Sequence, residues 1–178
     1  MRSDKIEKKS YASHEPVLKM VVNSIRNGSV VEFGCGLSST PMLRELCQKM
    51  SRRLFSYESN ASWLDIAQKM CPPSELHNYV IVQSWTNFSP GVETCPIGVA
   101  FVDHGSAHRR GHSVNILLDI AEVVICHDTE RPCHDRPGGY DHDIISAKYK
   151  RDYTHVKPWT TVCSNVHDVR AWGEPEWC

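Results

Sequence analysis

Apolar residues recur in two rhythms along this chain, and the rhythms alternate. Val17, Leu18, Val21, Val22 and Ile25 follow helical spacing, after the helix-start signature Ser13-His14-Glu15-Pro16 and before the stop Asn27-Gly28. The other rhythm is the short run apolar on both faces, as in a buried parallel strand. It predicts strands at Ser29–Phe33, Arg53–Glu58, Tyr79–Gln83, Ile97–Asp103 and Glu122–Asp128. Between these runs, Met42–Met50, Asn60–Met70 and Arg109–Ile120 read as helices, and Ser84–Pro96 reads as an irregular loop. A further helix is predicted around Tyr140–Tyr149. The runs Asp152–Val156 and Trp159–Ser164, separated by Lys157-Pro158, predict a closing hairpin.

Strands alternating with helices imply right-handed crossovers in a doubly wound α/β sheet. The expected architecture is a single Rossmann-like domain of seven strands, mostly parallel, with a C-terminal antiparallel hairpin and helices on both faces. Residues 13–178 form it, and 1–12, polar and charged, read as a flexible tail.

Composition narrows the setting. The chain has 178 residues, 40% hydrophobic and 23% charged, enough for one core. A formal net charge of −1 gives no basic field, so charge does not indicate nucleic acid. The start of the chain has no apolar signal core, and no stretch is long enough to span a bilayer, so a cytoplasmic protein is expected. Eight cysteines show no C-x-x-C pair or disulfide spacing and read as free thiols.

Ligands of open α/β sheets bind outside the carboxyl ends of the strands. Here those ends carry Glu32 with Gly34 and Gly36, then Glu58, Gln83-Ser84-Trp85, Asp103-His104 and His127-Asp128. Two glycines one residue apart let the backbone take positive φ and approach a ligand closely. Ser38, Ser39 or Thr40 can cap the next helix, with Pro41 in its first turn. Position 39 is Ser where a dinucleotide turn has its third glycine, and a P-loop lysine is missing. Glu58, at the end of the second strand, is placed to accept both ribose hydroxyls of an adenosyl group, as in S-adenosylmethionine (SAM) or NAD. Ser84 and Trp85 could hold adenine, although Trp85 reads equally as core.

With these residues in hand, the chain resembles class I SAM-dependent methyltransferases from about His14 to Ser164. Tyr57-Glu58, Phe101-Val102-Asp103-His104 and Val124-Ile125-Cys126-His127-Asp128-Thr129 look like the Methyltransferase-24 and catechol O-methyltransferase-like group. The resemblance implies SAM held by Glu32, Gly34, Gly36, Ser39, Thr40, Glu58, Ser84, Trp85 and Asp103. In that group an Asp ending the fourth strand and an Asp-Asn pair ending the fifth bind Mg²⁺. Asp103 matches the first, and His127-Asp128 falls where the pair belongs, with His replacing an oxygen donor. A metal at Asp103, His127 and Asp128 would thus be Mg²⁺, Mn²⁺ or Zn²⁺, His favouring the softer ions.

A metal-free alternative makes His127 or His104 the general base, oriented by Asp103 or Asp128. A third has Asp128 and Thr129 merely capping a turn. Arg pairs near His108, Arg109, Arg110 and His112, and near Arg131, His134, Asp135, Arg136 and Tyr140, suit an anionic substrate or plain solvation. The expected activity is O-methylation of a small or exposed hydroxyl acceptor, with a homo-oligomer or partner chain free to cover the open edge. The rival is a non-catalytic SAM- or nucleotide-binding module within a larger complex.

Overall fold

The computed structural model of the chain describes residues 12–130 and 141–177. Among the described residues seven strands form one sheet: β1 (Ser29–Phe33), β2 (Leu54–Glu58), β3 (His77–Ile81), β4 (Ile97–Val102), β5 (Ala121–His127), β6 (Tyr149–Tyr153) and β7 (Thr160–Ser164). Their order is β3-β2-β1-β4-β5-β7-β6. The first five are parallel, and β7 runs antiparallel to both β5 and β6. The described helices are α1 (Glu15–Ser24), α2 (Ser39–Lys49), α3 (Ala61–Met70) and α4 (Arg110–Leu118). None is long and apolar enough to cross a membrane.

Each face of the sheet has its own core. Val17, Leu18, Val21 and Val22 of α1 and Leu43 of α2 pack against Val30, Leu54, Val99, Phe101, Val123 and Ile125. Val114 and Leu117 of α4 pack against Val31, Phe33, Ala100, Val102 and Val124 on the other face. Burying each such side chain is worth about 1.5–3 kcal/mol. Alternation along β4 and β5 then puts Asp103 and His127 beyond Phe101 and Ile125, on the α1 face.

The loop between β3 and β4 is irregular, as expected, with one 3₁₀ turn at Val92–Thr94. It covers the α4 face with side chains instead of a helix: Trp85 and Phe88 pack against Phe33. The described cysteines are free, five buried and Cys95 exposed.

Several boundaries differ from the sequence reading: α2 begins at Ser39 rather than Met42, and β6 runs over Tyr149–Tyr153 rather than Asp152–Val156. β3 begins two residues earlier than expected, because reciprocal backbone bonds between Ser74 and His77 turn the chain into the sheet at once. No helix spans the described part of 140–149. A 3₁₀ turn, His142–Ile144, leads into β6. This connection lies along α4 and takes its polar partners from it. Gly111 N donates to Asp141 Oδ1 at 2.6 Å, Asn115 Nδ2 to the Ile144 carbonyl at 2.8 Å, and Ser146 N to Asn115 Oδ1 at 3.0 Å. A Cβ on Gly111 would stand 2.2 Å from the Asp141 carbonyl oxygen, so only glycine admits that approach.

Candidate active site at the carboxyl edge of the sheet

The β1 turn is built around Gly34. Its φ is +96°, and a Cβ there would fall 2.6 Å from the Cα and N of His104. Glycine therefore lets the β4 terminus close onto β1, where Asp103 N donates to the Phe33 carbonyl at 2.8 Å. Gly36 plays a different part than expected. Its φ is not positive, and a Cβ there would meet Ser39 Oγ at 2.6 Å.

Glu32 is fully buried beneath the start of α2. It accepts from Ser39 Oγ at 2.7 Å, Thr40 Oγ1 at 3.0 Å and Ser56 Oγ at 2.6 Å. The Thr40 hydroxyl in turn accepts from Gly36 N at 2.9 Å. Burial pushes the Glu32 carboxyl up to about 7, against the lowering effect of the three hydroxyls. Glu32, Ser39 and Thr40 thus bond one another, and together they brace the glycine turn from behind.

Glu58 ends β2, as expected, and its carboxylate gathers three backbone amides. Cys35 N reaches Oε2 at 3.1 Å, while Ser59 N and Asn60 N reach Oε1 at 2.7 and 2.8 Å. A carboxylate offers about four acceptor sites, so one remains for a ligand hydroxyl rather than two. Beside it opens a cleft of about 400 Å³ lined by Glu58, Asn60, Trp63, Asp103, Gly105 and Ser106. Cys35 also borders it. Burial and the nearby Glu32 and Glu58 push its thiol far up, so it is no nucleophile at neutral pH.

Ser84 lines a neighbouring cavity of about 270 Å³ with Ser59, Gln83, His108 and Arg109. Trp85 borders this cavity but is a core residue, 3% exposed, with Nε1 donating to Ser59 Oγ at 3.0 Å. Its indole stacks on His104 at 4.3 Å. His104 is itself buried, with Nε2 3.0 Å from Ser113 Oγ, and burial lowers its pKa to about 3. It stands in the α4 core and does not join His127.

The remaining candidates converge. Arg110, at the start of α4, bridges the strand ends: its NH1 lies 2.8 Å from Asp103 Oδ1 and 3.0 Å from Asp128 Oδ2, and its Nε donates to the His104 carbonyl at 2.9 Å. Asp128 takes a left-handed backbone, φ +58°, in turning out of β5. His127 Nδ1 stands 3.5 Å from Asp103 Oδ2 and 3.4 Å from Asp128 Oδ1. Burial raises Asp103, but Arg110 and His127 outweigh it and hold the carboxyl at about 2. For His127, burial works downward and the two carboxylates prevail, so its pKa is raised.

On its other edge, His127 Nε2 lies 3.0 Å from Ser13 Oγ, which donates to the Pro158 carbonyl at 2.8 Å. That hydroxyl proton is already spent, so the ring donates from Nε2 and turns Nδ1 to the carboxylates.

The sequence pattern assigns His14 only to the helix-start signature before α1 and gives it no place in the site. His14 makes no side-chain cap bond. Its ring lies edge-on to His127 at 4.6 Å and tilted over Phe101 at 5.2 Å. Sequence reasoning also offered Arg110 to substrate, whereas the protein buries it as a clamp. His112 is exposed, 3.7 Å from Asp141. Arg131, His134, Asp135, Arg136 and Tyr140 lie outside the described residues.

No protein-family model matches the sequence, and no curated protein matches it. Solved structures do. The O-methyltransferase TomG from Streptomyces achromogenes, in complex with SAM, superposes with a TM-score of 0.62 at 14% identity, covering 88% of each chain. A candidate O-methyltransferase from Klebsiella pneumoniae gives 0.60 at 13% identity, over 87% of this chain and 81% of the other. The N-methyltransferase NodS from Bradyrhizobium japonicum gives 0.60 at 10% identity, over 92% and 97%. Together with the strand order, these likenesses identify the architecture as the class I SAM-dependent methyltransferase fold.

Proposed function

We propose that the chain is a SAM-dependent methyltransferase acting on a hydroxyl of a small or exposed acceptor. The observation that carries this reading is the cleft where Glu58, Asp103 and the Gly34 turn meet at the ends of β2, β4 and β1. When bound, SAM supplies a methyl group on a sulfonium centre, activated for in-line displacement. Glu58 receives a ribose hydroxyl on its remaining acceptor site while ordering the amides of Cys35, Ser59 and Asn60. Ser84 and Gln83 offer polar partners to adenine in the adjoining cavity. Asp103, which lines the cleft, receives the acceptor, with His127 and Asp128 next to it in the same charge network. The acceptor's hydroxyl proton would pass to His127 Nδ1, with Asp103 and Asp128 beside it to stabilise the resulting imidazolium. The N-methyltransferase among the similar folds leaves the choice of oxygen to the site's chemistry, and a cluster that takes up a proton suits a hydroxyl.

Calorimetric titration of SAM tests the reading. Micromolar binding is expected, weakened about tenfold or more in Glu58→Gln, which loses the charge and turns a donor NH₂ toward a backbone amide or the ribose hydroxyl. Folded protein that binds no SAM overturns it. SAM binding with no methyl transfer to any acceptor in a broad hydroxyl screen would favour the non-catalytic module.

A further inference from the structure

Three other buried histidines each have a polar partner: His77 Nε2 lies 3.0 Å from Ser56 Oγ, His104 Nε2 3.0 Å from Ser113 Oγ, and His142 Nδ1 3.8 Å from Cys126 Sγ. His14 is the exception. It is 3% exposed, and neither ring nitrogen has a hydrogen-bond partner among the described residues. A buried polar group left unpaired costs about 1–3 kcal/mol, and this ring carries two. One donor atom of His14, one of Asp103 and one of His127 lie within 4.8 Å of one another.

We propose that His14, Asp103 and His127 bind a divalent transition-metal ion, of the Mn²⁺, Fe²⁺, Co²⁺ or Zn²⁺ kind rather than Mg²⁺. Two imidazoles and one carboxylate suit these ions, whereas Mg²⁺ prefers oxygen throughout. Bond lengths of about 2.0–2.2 Å require the three donors to close in slightly. The surroundings are already arranged for ligation. Ser13 and the Pro158 carbonyl fix the Nε2–H of His127 and aim Nδ1 at the carboxylates. Arg110 occupies Asp103 Oδ1, which leaves Oδ2 on the side of His127. Partners behind the ligands that set tautomer and orientation are typical of metal sites.

Charge agrees with this. Among the described residues, two carboxylates against one guanidinium leave one negative charge, so a dication leaves one positive. A single bound oxyanion neutralises it. Three protein ligands also leave coordination positions open. The ion thus anchors the acceptor oxygen, with Asp128 alongside. That role rests on the methyl-transfer reading; the binding of metal does not.

The test uses the full chain, stripped with EDTA and without SAM. Zn²⁺, Mn²⁺ and Mg²⁺ are titrated by calorimetry, and Co²⁺ by its visible absorption. One equivalent is expected, with Zn²⁺ and Co²⁺ bound at least about 100-fold tighter than Mg²⁺. The Co²⁺ complex should show ligand-field bands without thiolate charge transfer. His14→Gln should weaken binding by about 100-fold or more while Cys95→Ser leaves it unchanged. Circular dichroism verifies folding, and His127→Gln substitutes if the first variant does not fold. No stoichiometric binding, full binding in a folded His14→Gln, or a thiolate band overturns the site. SAM titrated into the same stripped sample separates the two readings. Metal binding without SAM binding leaves the site standing and removes the methyl-transfer reading, and SAM binding without metal does the reverse.

Discussion

Two carboxylates on the same face of the sheet, Glu32 fully buried and Asp103 half-buried, live in opposite surroundings. Glu32, in the β1–β2 half, meets only hydroxyls: Ser39, Thr40 and Ser56. Asp103, at the end of β4, meets a guanidinium and an imidazole. Burial dominates at the first and lifts the carboxyl to about 7. Opposite charge prevails at the second and holds it at about 2. Hydroxyls satisfy a carboxylate but do not supply the charge that keeps it ionised in a dry site. Glu32 therefore braces a turn, whereas Asp103 belongs to a network of charges.

Arg110→Met should have the largest effect. It leaves Asp103 and Asp128 facing one another and the His104 carbonyl without its guanidinium partner, a loss of about 3–5 kcal/mol in urea unfolding at pH 7. A loss below about 1 kcal/mol would show that the carboxylates do not need their clamp.

Stability should next fall by several kcal/mol between pH 6.5 and 4. Burial lowers the pKa of His14 and of His77 to about 4 and that of His104 to about 3. The unfolded chain therefore takes up protons in this window that the native protein refuses. Glu32 opposes the trend, since its raised pKa makes the native form the better proton binder between 4.5 and about 7, but it is one group against three. His77→Gln should flatten the acid slope by about one proton, read from unfolding midpoints across pH.

Glu32→Gln should have the smallest effect, under about 1 kcal/mol at pH 6, where the carboxyl is already largely protonated and the amide can exchange hydrogen bonds with the same hydroxyls. A loss like that of Arg110→Met would erase the distinction between the two halves.

The strands were legible because runs such as Ile97–Val102 and Val123–Cys126 are apolar on both faces, and the acids ending β1, β2 and β4 stood out against them. Glu58, Asp103, His127 and Asp128 could be placed at one edge for that reason. What distinguished Glu32 from Asp103 could not be read, since it depends on Ser56 and Arg110 arriving from elsewhere in the chain. The helix expected around Tyr140–Tyr149 failed because its segment draws partners from Asn115 on α4, a tertiary influence invisible to local periodicity. His14 was hidden for the same reason. A histidine before Glu-Pro looks like a helix start, and only the register of β4 and β5 brings Asp103 and His127 beneath it.

The first residues of α1 touch both ends of this edge. Glu15 Oε1 accepts from Ser38 Oγ, beside the glycine turn, while His14, one residue earlier, faces Asp103 and His127. A ligand that draws His14 toward Asp103 therefore also pulls on the support of the glycine turn and of whatever binds there. Any change in affinity passed along this lever must be equal in both directions, so the two ligands would be thermodynamically linked across a single peptide unit.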